Sequence, residues 1–253
     1  MSLKSSFIEV VDYLQNRGEM MKAYVVLRNA PSMIEANPDI IQRVVDIKAR
    51  LEDIAEMQNY GTIKGKFNAG FVDPIDKEKV VKYQLLKKFV QDHELKKLVD
   101  VGCFSGWVGR GLSSLGISVH GIDIHPVIMQ IAAFIASGSL ATFEYLSVQK
   151  LGFTHPKEYD GAILFDVLEH CFDIEIVIQS YEMALKDGGW AIINMPSVEG
   201  EQVANLHPLD QHEHLYSFSV NKINDLFGNK NNISIKKVIN EGGVPNWWIT
   251  YQV

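Results

Sequence analysis

The sequence predicts an α/β protein: a doubly wound, mostly parallel seven-stranded sheet with an antiparallel last strand, preceded by an N-terminal helical segment. Three observations carry this reading. From residue 96 onward, short β-branched runs alternate with segments of helical period, the pattern that winds a parallel sheet with helices on both faces. The last two runs, near 233–239 and 246–252, are joined only by "NEGGVP", too short for a crossover helix, so they pair antiparallel. Ahead of the alternation, residues 5–58 keep a helical apolar period throughout.

Taken in order, Phe7, Val11 and Leu14 share one helical face, as do Ile40, Val44, Ile47, Leu51 and Ile54. Gly18, Pro31 and Pro38 divide this segment into roughly three helices. Its run "GEMMKAYVVL" resembles one helix of a tetratricopeptide unit, but no second copy follows at a fixed period. Residues 1–58 therefore read as a helical arm that covers a pocket or mediates self-association as a homodimer. The glycine-rich stretch "NYGTIKGKFNAGFVDP" reads as a linker over 59–74. Asp73 and Pro74 open a helix as cap and first turn, with Val80, Tyr83, Leu86 and Val90 on one side, and residues 75–253 form the main domain.

Strand "KLVDV" leads to a helix at 106–115, and strand "SVHGID" to a helix at 126–136. "TFEYL" is the third strand. "YDGAILFD" leads to a helix near 173–186, closed by "KDGG", and strand "WAIINM" follows. A helix capped by Ser219 ends at Gly228 before the closing pair. In such folds, ligands bind outside the carboxyl ends of the strands, where the winding reverses.

Composition narrows the function classes. A hydrophobic share of 47% and a charged share of 22% over 253 residues suit one sizeable domain with a smaller appendage. A formal charge of −7 argues against binding nucleic acid or an anionic membrane surface. The two cysteines, Cys103 and Cys171, lie far apart without metal-type spacing, which suits a reducing compartment. No secretory signal is read at the N-terminus, and the most apolar run, "VIMQIAAFIA", is about half the length a bilayer requires. A cytoplasmic protein is expected.

The stretch "KKLVDVGCFSGWVGRGL" joins a strand to a helix through a glycine turn at Gly102, Gly106 and Gly109. A Walker phosphate loop needs Gly-Lys-Ser/Thr here, and "SGWVGRG" lacks both the lysine and the hydroxyl. The dinucleotide spacing G-x-G-x-x-G lacks its close-approach glycine, which demotes NAD. "LVDVGCFSG" instead resembles the first motif of class I S-adenosylmethionine-dependent methyltransferases. Four further segments resemble that family in order: "HGIDIHP", "KEYDGAILFDVLEH", "YEMALKDGGWAIINMP" and "HEHLYSFSVNKINDLF". The last three resemble the branch containing ubiquinone-pathway and small-molecule methyltransferases, and the resemblance covers roughly residues 75–253.

That resemblance implies a Rossmann-like methyltransferase fold with S-adenosyl-L-methionine as cofactor. It implies a cofactor loop of Asp100, Gly102, Cys103, Phe104 and Gly106, with Asp123 and Ile124 at the ribose. Ser147 and Val148 then meet the adenine, and Phe165 and Asp166 face the sulfonium. The chemistry agrees: glycine lets the amino-acid end of the cofactor approach backbone, and the following helix offers unpaired N–H groups to its carboxylate. Two departures stand out. Phe104 occupies the family's central glycine position, and Ser147 replaces its usual acid before "LGF". Asp100 reads equally as a structural acid or a ligand group, Trp107 as packing, and Tyr60 and Lys66 as solvated linker residues.

"DVLEH" resembles the Glu-x-x-Glu-His arrangement with which some ubiquinone-pathway O-methyltransferases hold a divalent cation, Asp166 replacing the first Glu. Glu169-His170 also occurs in metal-independent relatives, and no metal is expected. "NLHPLDQHEHLYSF" holds His207, Asp210, His212, Glu213 and His214 without zinc-type spacing, and reads as an active-site wall. His170 and His214 coincide with the histidines of the two family motifs and rank ahead of His207 and His212 as catalytic bases. The expected function is methyl transfer to a small-molecule or sugar-like hydroxyl. Its rivals are an N-methyltransferase, a non-catalytic S-adenosylmethionine-binding module and an NAD-dependent oxidoreductase.

Overall fold

In the computed structural model, the described residues are 77–136, 138–203, 214, 216–240 and 242–253. The helical arm at 1–58, the linker at 59–74 with Tyr60 and Lys66, and the Asp73-Pro74 helix start lie outside them, as do His207, Asp210, His212 and Glu213. The first described helix, α1 (Val81–Asp92), follows a 3-10 turn at Lys77–Lys79. Its N-cap is Val80, which offers no side-chain cap, so this helix starts later than the Asp-Pro signal implies. The apolar side is the expected one: Val80, Tyr83, Leu86 and Val90 are all buried.

The chain continues through β1 (Lys97–Val101), α2 (Trp107–Ser113), β2 (Ser118–Asp123), α3 (Pro126–Ile135) and β3 (Ala141–Tyr145). Then come α4 (Val148–Thr154), β4 (Tyr159–Phe165), α5 (Ile174–Ala184), β5 (Leu185–Pro196) and α6 (Val198–Val203). It closes with α7 (Val220–Phe227), β6 (Asn231–Ile239) and β7 (Pro245–Gln252). The seven strands form one sheet in the order β3-β2-β1-β4-β5-β7-β6. β1 to β5 pair in parallel, and β7 runs antiparallel to both β5 and β6, as the short final connection requires.

Strand periodicity of two sorts the side chains into two cores. Val99, Val101, Ala162, Leu164, Ile193 and Met195 pack on one face with Leu151, Val177, Tyr181 and Phe227. Leu98, Ile163 and Ile192 pack on the other with Tyr83, Leu86, Val90 and Leu112. Burial on both faces explains why β4 reads as a nearly continuous apolar run.

Three elements differ from the sequence reading, one of them α6, which has no counterpart between strand "WAIINM" and the Ser219-capped helix. α4 has no counterpart in that reading either, because "VQKLGFT" is short and carries a mid-helix glycine. That glycine has a packing cause: a Cβ on Gly152 would sit 2.5 Å from the Ser180 carbonyl oxygen on α5. The "KDGG" run does not close a helix near residue 186; α5 ends at Ala184 and the run belongs to β5, where Gly188 takes φ +79°. Ser219 caps α7 as expected, its hydroxyl oxygen accepting the Lys222 N–H at 3.3 Å.

Candidate active site

The winding reverses between β1 and β4, which lie side by side in the middle of the sheet. Their carboxyl ends open the crevice where such folds bind ligands. At the end of β1, Gly102 (φ +64°) and Gly106 (φ +73°) shape the turn into α2. A Cβ on Gly102 would come within 2.7 Å of Val167, and one on Gly106 within 2.2 Å of the Phe143 ring. Phe104, between them, adopts φ +47°, a conformation costly for a residue with a bulky side chain. Trp107 packs against Tyr83, with ring centroids 5.8 Å apart.

Phe104 ties the turn to the next strand. Its N–H donates to Asp123 Oδ2 at 3.1 Å, while the His125 N–H donates to Asp123 Oδ1 at 3.1 Å. Burial pushes the Asp123 carboxyl upward, against the opposing pull of His125 and the backbone N–H groups of Phe104, His125 and Ile124. Ile124, next in the chain, leaves its side chain exposed at the strand end. Asp123 pairs with Tyr145 across β2 and β3, so half-buried Ser147 and Val148 begin α4 beside it. Cys103 is buried, and that burial holds its thiol well above the ordinary range, away from nucleophilic chemistry.

Asp100 is the least satisfied group of the turn. It is 3% exposed, and its Oδ2 accepts no hydrogen bond among the described residues. Burial, and then the charge of Asp123, pushes its carboxyl up to about 7, while Lys82 pulls the other way. A buried acceptor without a donor is costly, and it marks a place for a ligand's donor.

At the end of β4, Asp166 takes φ +55° and donates its N–H to the Asn194 carbonyl at 2.9 Å. Its carboxylate pairs with Lys82, whose ammonium also lies 5.5 Å from the Phe165 ring centroid. The apolar period of α1 gives no sign of this role for Lys82, which sequence reasoning misses. A 3-10 turn (Leu168–His170) then carries Glu169 inward and leaves His170 exposed. Glu169 is 1% exposed, and neither carboxylate oxygen accepts a hydrogen bond among the described residues. Burial, then the charge of Asp166, holds its carboxyl well above the usual range.

His214 arrives from a different part of the chain. Its ring centroid lies 4.9 Å from that of His170, at an interplanar angle of 78°. Its Nδ1 meets Oε1 of Glu201 at 3.1 Å, and the other Glu201 oxygen accepts the Ser217 hydroxyl. Glu201 is held by α6, which sits so close to β7 that a Cβ on Gly200 would lie 2.2 Å from the Pro245 carbonyl oxygen. The Tyr216 hydroxyl donates to the Phe172 carbonyl at 2.7 Å and fastens the two segments together. Ligating atoms of Glu169, His170 and His214 thus lie within 4.8 Å of one another, a spacing that one cation could bridge. Asp166, Glu169 and His214 line a cavity of about 290 Å³ with Lys82, Asn194, Asn246 and several apolar side chains.

The sequence of this site has relatives. The family described as a methyltransferase domain matches residues 77–232. The chain is 26% identical over 181 residues to a ubiquinone biosynthesis O-methyltransferase of Hydrogenovibrio crunogenus, covering 66% of this chain and 75% of that one. It is 32% identical over 101 residues to the protein of the same name from Nitrosomonas europaea, covering 39% of this chain and 43% of that one. The chain therefore spans most of the first relative and less than half of the second. A solved structure is similar with a TM-score of 0.59 at 15% identity, covering 79% of this chain and 88% of that one. It is the 1,6-didemethyltoxoflavin-N1-methyltransferase of Burkholderia thailandensis with bound 1,6-didemethyltoxoflavin and S-adenosylhomocysteine, and at that identity it shares the fold alone.

Proposed function

The chain belongs to the methyltransferase domain family, in the class I S-adenosylmethionine-dependent group resembling ubiquinone O-methyltransferases, and from that membership we propose O-methylation of a small, polar, hydroxyl-bearing or sugar-like acceptor. When bound, S-adenosyl-L-methionine supplies an electrophilic methyl group. The turn fits this cofactor: Gly102 and Gly106 leave no room for side chains, and the orphaned Asp100 Oδ2 offers an acceptor to its ammonium end. Asp123 accepts from the ribose hydroxyls, as charge-assisted bonds from two donors to one carboxylate allow. Ile124, Ser147 and Val148 border the adenine, and Cys103, Phe104, Phe165 and Asp166 complete the cofactor's surroundings.

One observation carries the choice of a hydroxyl acceptor: buried Glu169, with both oxygens free to accept among the described residues, lines one cavity with His214, and the exposed His170 lies beside both. Glu169 orients the acceptor hydroxyl, and His170 or His214 takes its proton as carbon–oxygen bonding develops. Glu201 holds the His214 ring in place through Nδ1. The same three side chains favour a second reading, in which they hold a divalent cation that polarises the hydroxyl. An amine acceptor would need less help from a base, and the site would then serve alignment alone.

The N-terminal residues 1–58 form, on this reading, a separate helical arm joined by the linker at 59–74 to a methyltransferase domain at 75–253. The arm covers the acceptor cavity or joins two copies of the chain. A cytoplasmic setting accords with Cys103 and Cys171, both free thiols. Among the described residues, no helix is long and apolar enough to cross a membrane.

Mass spectrometry of a metabolite pool, incubated with the enzyme and methyl-labelled cofactor, identifies the acceptor atom. Label on oxygen supports the proposal; label only on nitrogen overturns it. His170→Gln or His214→Gln should then cost on the order of 10²–10⁴ in turnover with cofactor affinity preserved. Retained turnover in both would remove the histidine base from the mechanism.

A further inference from the structure

We propose that His120, Glu144 and His155 form a binding site for one divalent transition-metal ion, Zn2+ by its donor set, set back along β2 and β3 from the active-site crevice. The fold builds this cluster from three elements. In the β2–β3 register His120 faces Thr142, so Glu144, two residues further, projects from the same face of the adjoining strand. α4 turns back toward the start of β4, and His155, its C-cap, lands beside both.

The side chains meet at hydrogen-bonding distances, close to the spacing an ion would need. Nε2 of His120 lies 3.2 Å from Glu144 Oε2, and Nε2 of His155 lies 3.0 Å from the same oxygen. The three ligating atoms all fall within 4.8 Å of one another. A tetrahedral zinc ion with ligands at about 2.1 Å sets neighbouring ligand atoms about 3.4 Å apart. Small outward shifts would admit it.

The groups behind the ligands point the same way. Nδ1 of His155 meets Glu158 Oε2 at 2.9 Å, and Lys97 holds the other oxygen of Glu158 at 2.7 Å. Nδ1 of His120 meets the Tyr159 hydroxyl. Each imidazole is thus turned so that Nε2 faces the shared carboxylate, the arrangement in which a carboxylate or hydroxyl fixes a zinc-binding histidine. Side-chain exposures of 15%, 41% and 22% for His120, Glu144 and His155 give an ion a route from solvent through Glu144. Two imidazoles and one carboxylate suit zinc and leave a fourth position for water.

His120 stands three residues before the cofactor-site position Asp123, about 10 Å along β2, and Glu144 precedes Ser147, the N-cap of α4, by three residues. The ion therefore clamps the edge strand β3 and the end of α4 onto β2 without touching the crevice.

The test uses the full-length protein, stripped of metal and titrated calorimetrically with Zn2+, with Co2+ as a spectroscopic probe. The proposal expects a tetrahedral Co2+ spectrum and a Zn2+-dependent rise in Tm. In His155→Gln and Glu144→Gln, each checked for a native circular dichroism spectrum, both should vanish and affinity should fall about 100-fold or more. His214→Gln, which alters the other histidine pair, should keep this site intact. Failure of the folded wild type to bind Zn2+, or binding unchanged in both His155→Gln and Glu144→Gln, would overturn the assignment and leave a hydrogen-bonded cluster.

Discussion

Asp100→Asn should make the cofactor-free protein more stable and its cofactor weaker-binding. Asp100 is 3% exposed with one oxygen unpartnered, and its carboxyl rises from 3.8 to about 7 in the fold. The folded value lies above the unfolded one, so the stability it governs is fully present below about pH 4 and is lost as pH climbs through about 7. A rise of that size corresponds to about 4 kcal/mol, with the opposing pull of Lys82 already included. The substitution removes the charge but leaves a buried amide short of partners, which offsets about 1–3 kcal/mol of the gain. Asp100→Asn should therefore exceed wild type by about 1–3 kcal/mol near pH 8 and lose that advantage near pH 4. Urea denaturation without cofactor at both pH values reads this directly. The same substitution should weaken S-adenosylmethionine binding about 10- to 100-fold by removing a charged acceptor. Equal stability of the two proteins near pH 8, with parallel pH dependence, would refute the buried-charge argument.

Two further changes test the frame around the site. Gly106→Ala places a Cβ at φ +73° and 2.2 Å from the Phe143 ring, so stability should drop by about 2–4 kcal/mol, read as a lower urea midpoint. A truncation starting near Asp73 should keep S-adenosylhomocysteine affinity but lose methyl transfer or change oligomeric mass; identical behaviour in both assays would leave the arm without either role.

Much of the fold is legible in the sequence because strands buried on both faces leave unbroken apolar runs, as in β4. The glycine turn and Asp123 are legible for a related reason: backbone shape and a strand-end acid leave local marks. α4 leaves none, since its Gly152 lowers helix propensity and the cause of that glycine, the approach of Ser180, lies on another helix. Lys82 and Glu201 escape a sequence reading because each acts through a partner distant in sequence, Asp166 and His214. Nothing in "VEGEQV" marks Glu201, yet α6, with Gly200 seated on Pro245, holds it at 2% exposure. The His120, Glu144 and His155 cluster depends on strand register, which no local pattern encodes. Phe104 in the central glycine position signals a departure, but only the φ of +47° and the bond to Asp123 show that the turn is kept despite it.

The central claim is that the β1 turn and Asp123 hold S-adenosylmethionine for methyl transfer. Calorimetric titration of wild type and Asp123→Ala with S-adenosylhomocysteine, with NAD as a control, tests it most directly. Wild type should bind S-adenosylhomocysteine and not NAD, and the folded mutant should bind it about 10- to 100-fold more weakly, a loss of about 1.5–3 kcal/mol. Wild-type affinity in the mutant, or preference for NAD, would contradict the account.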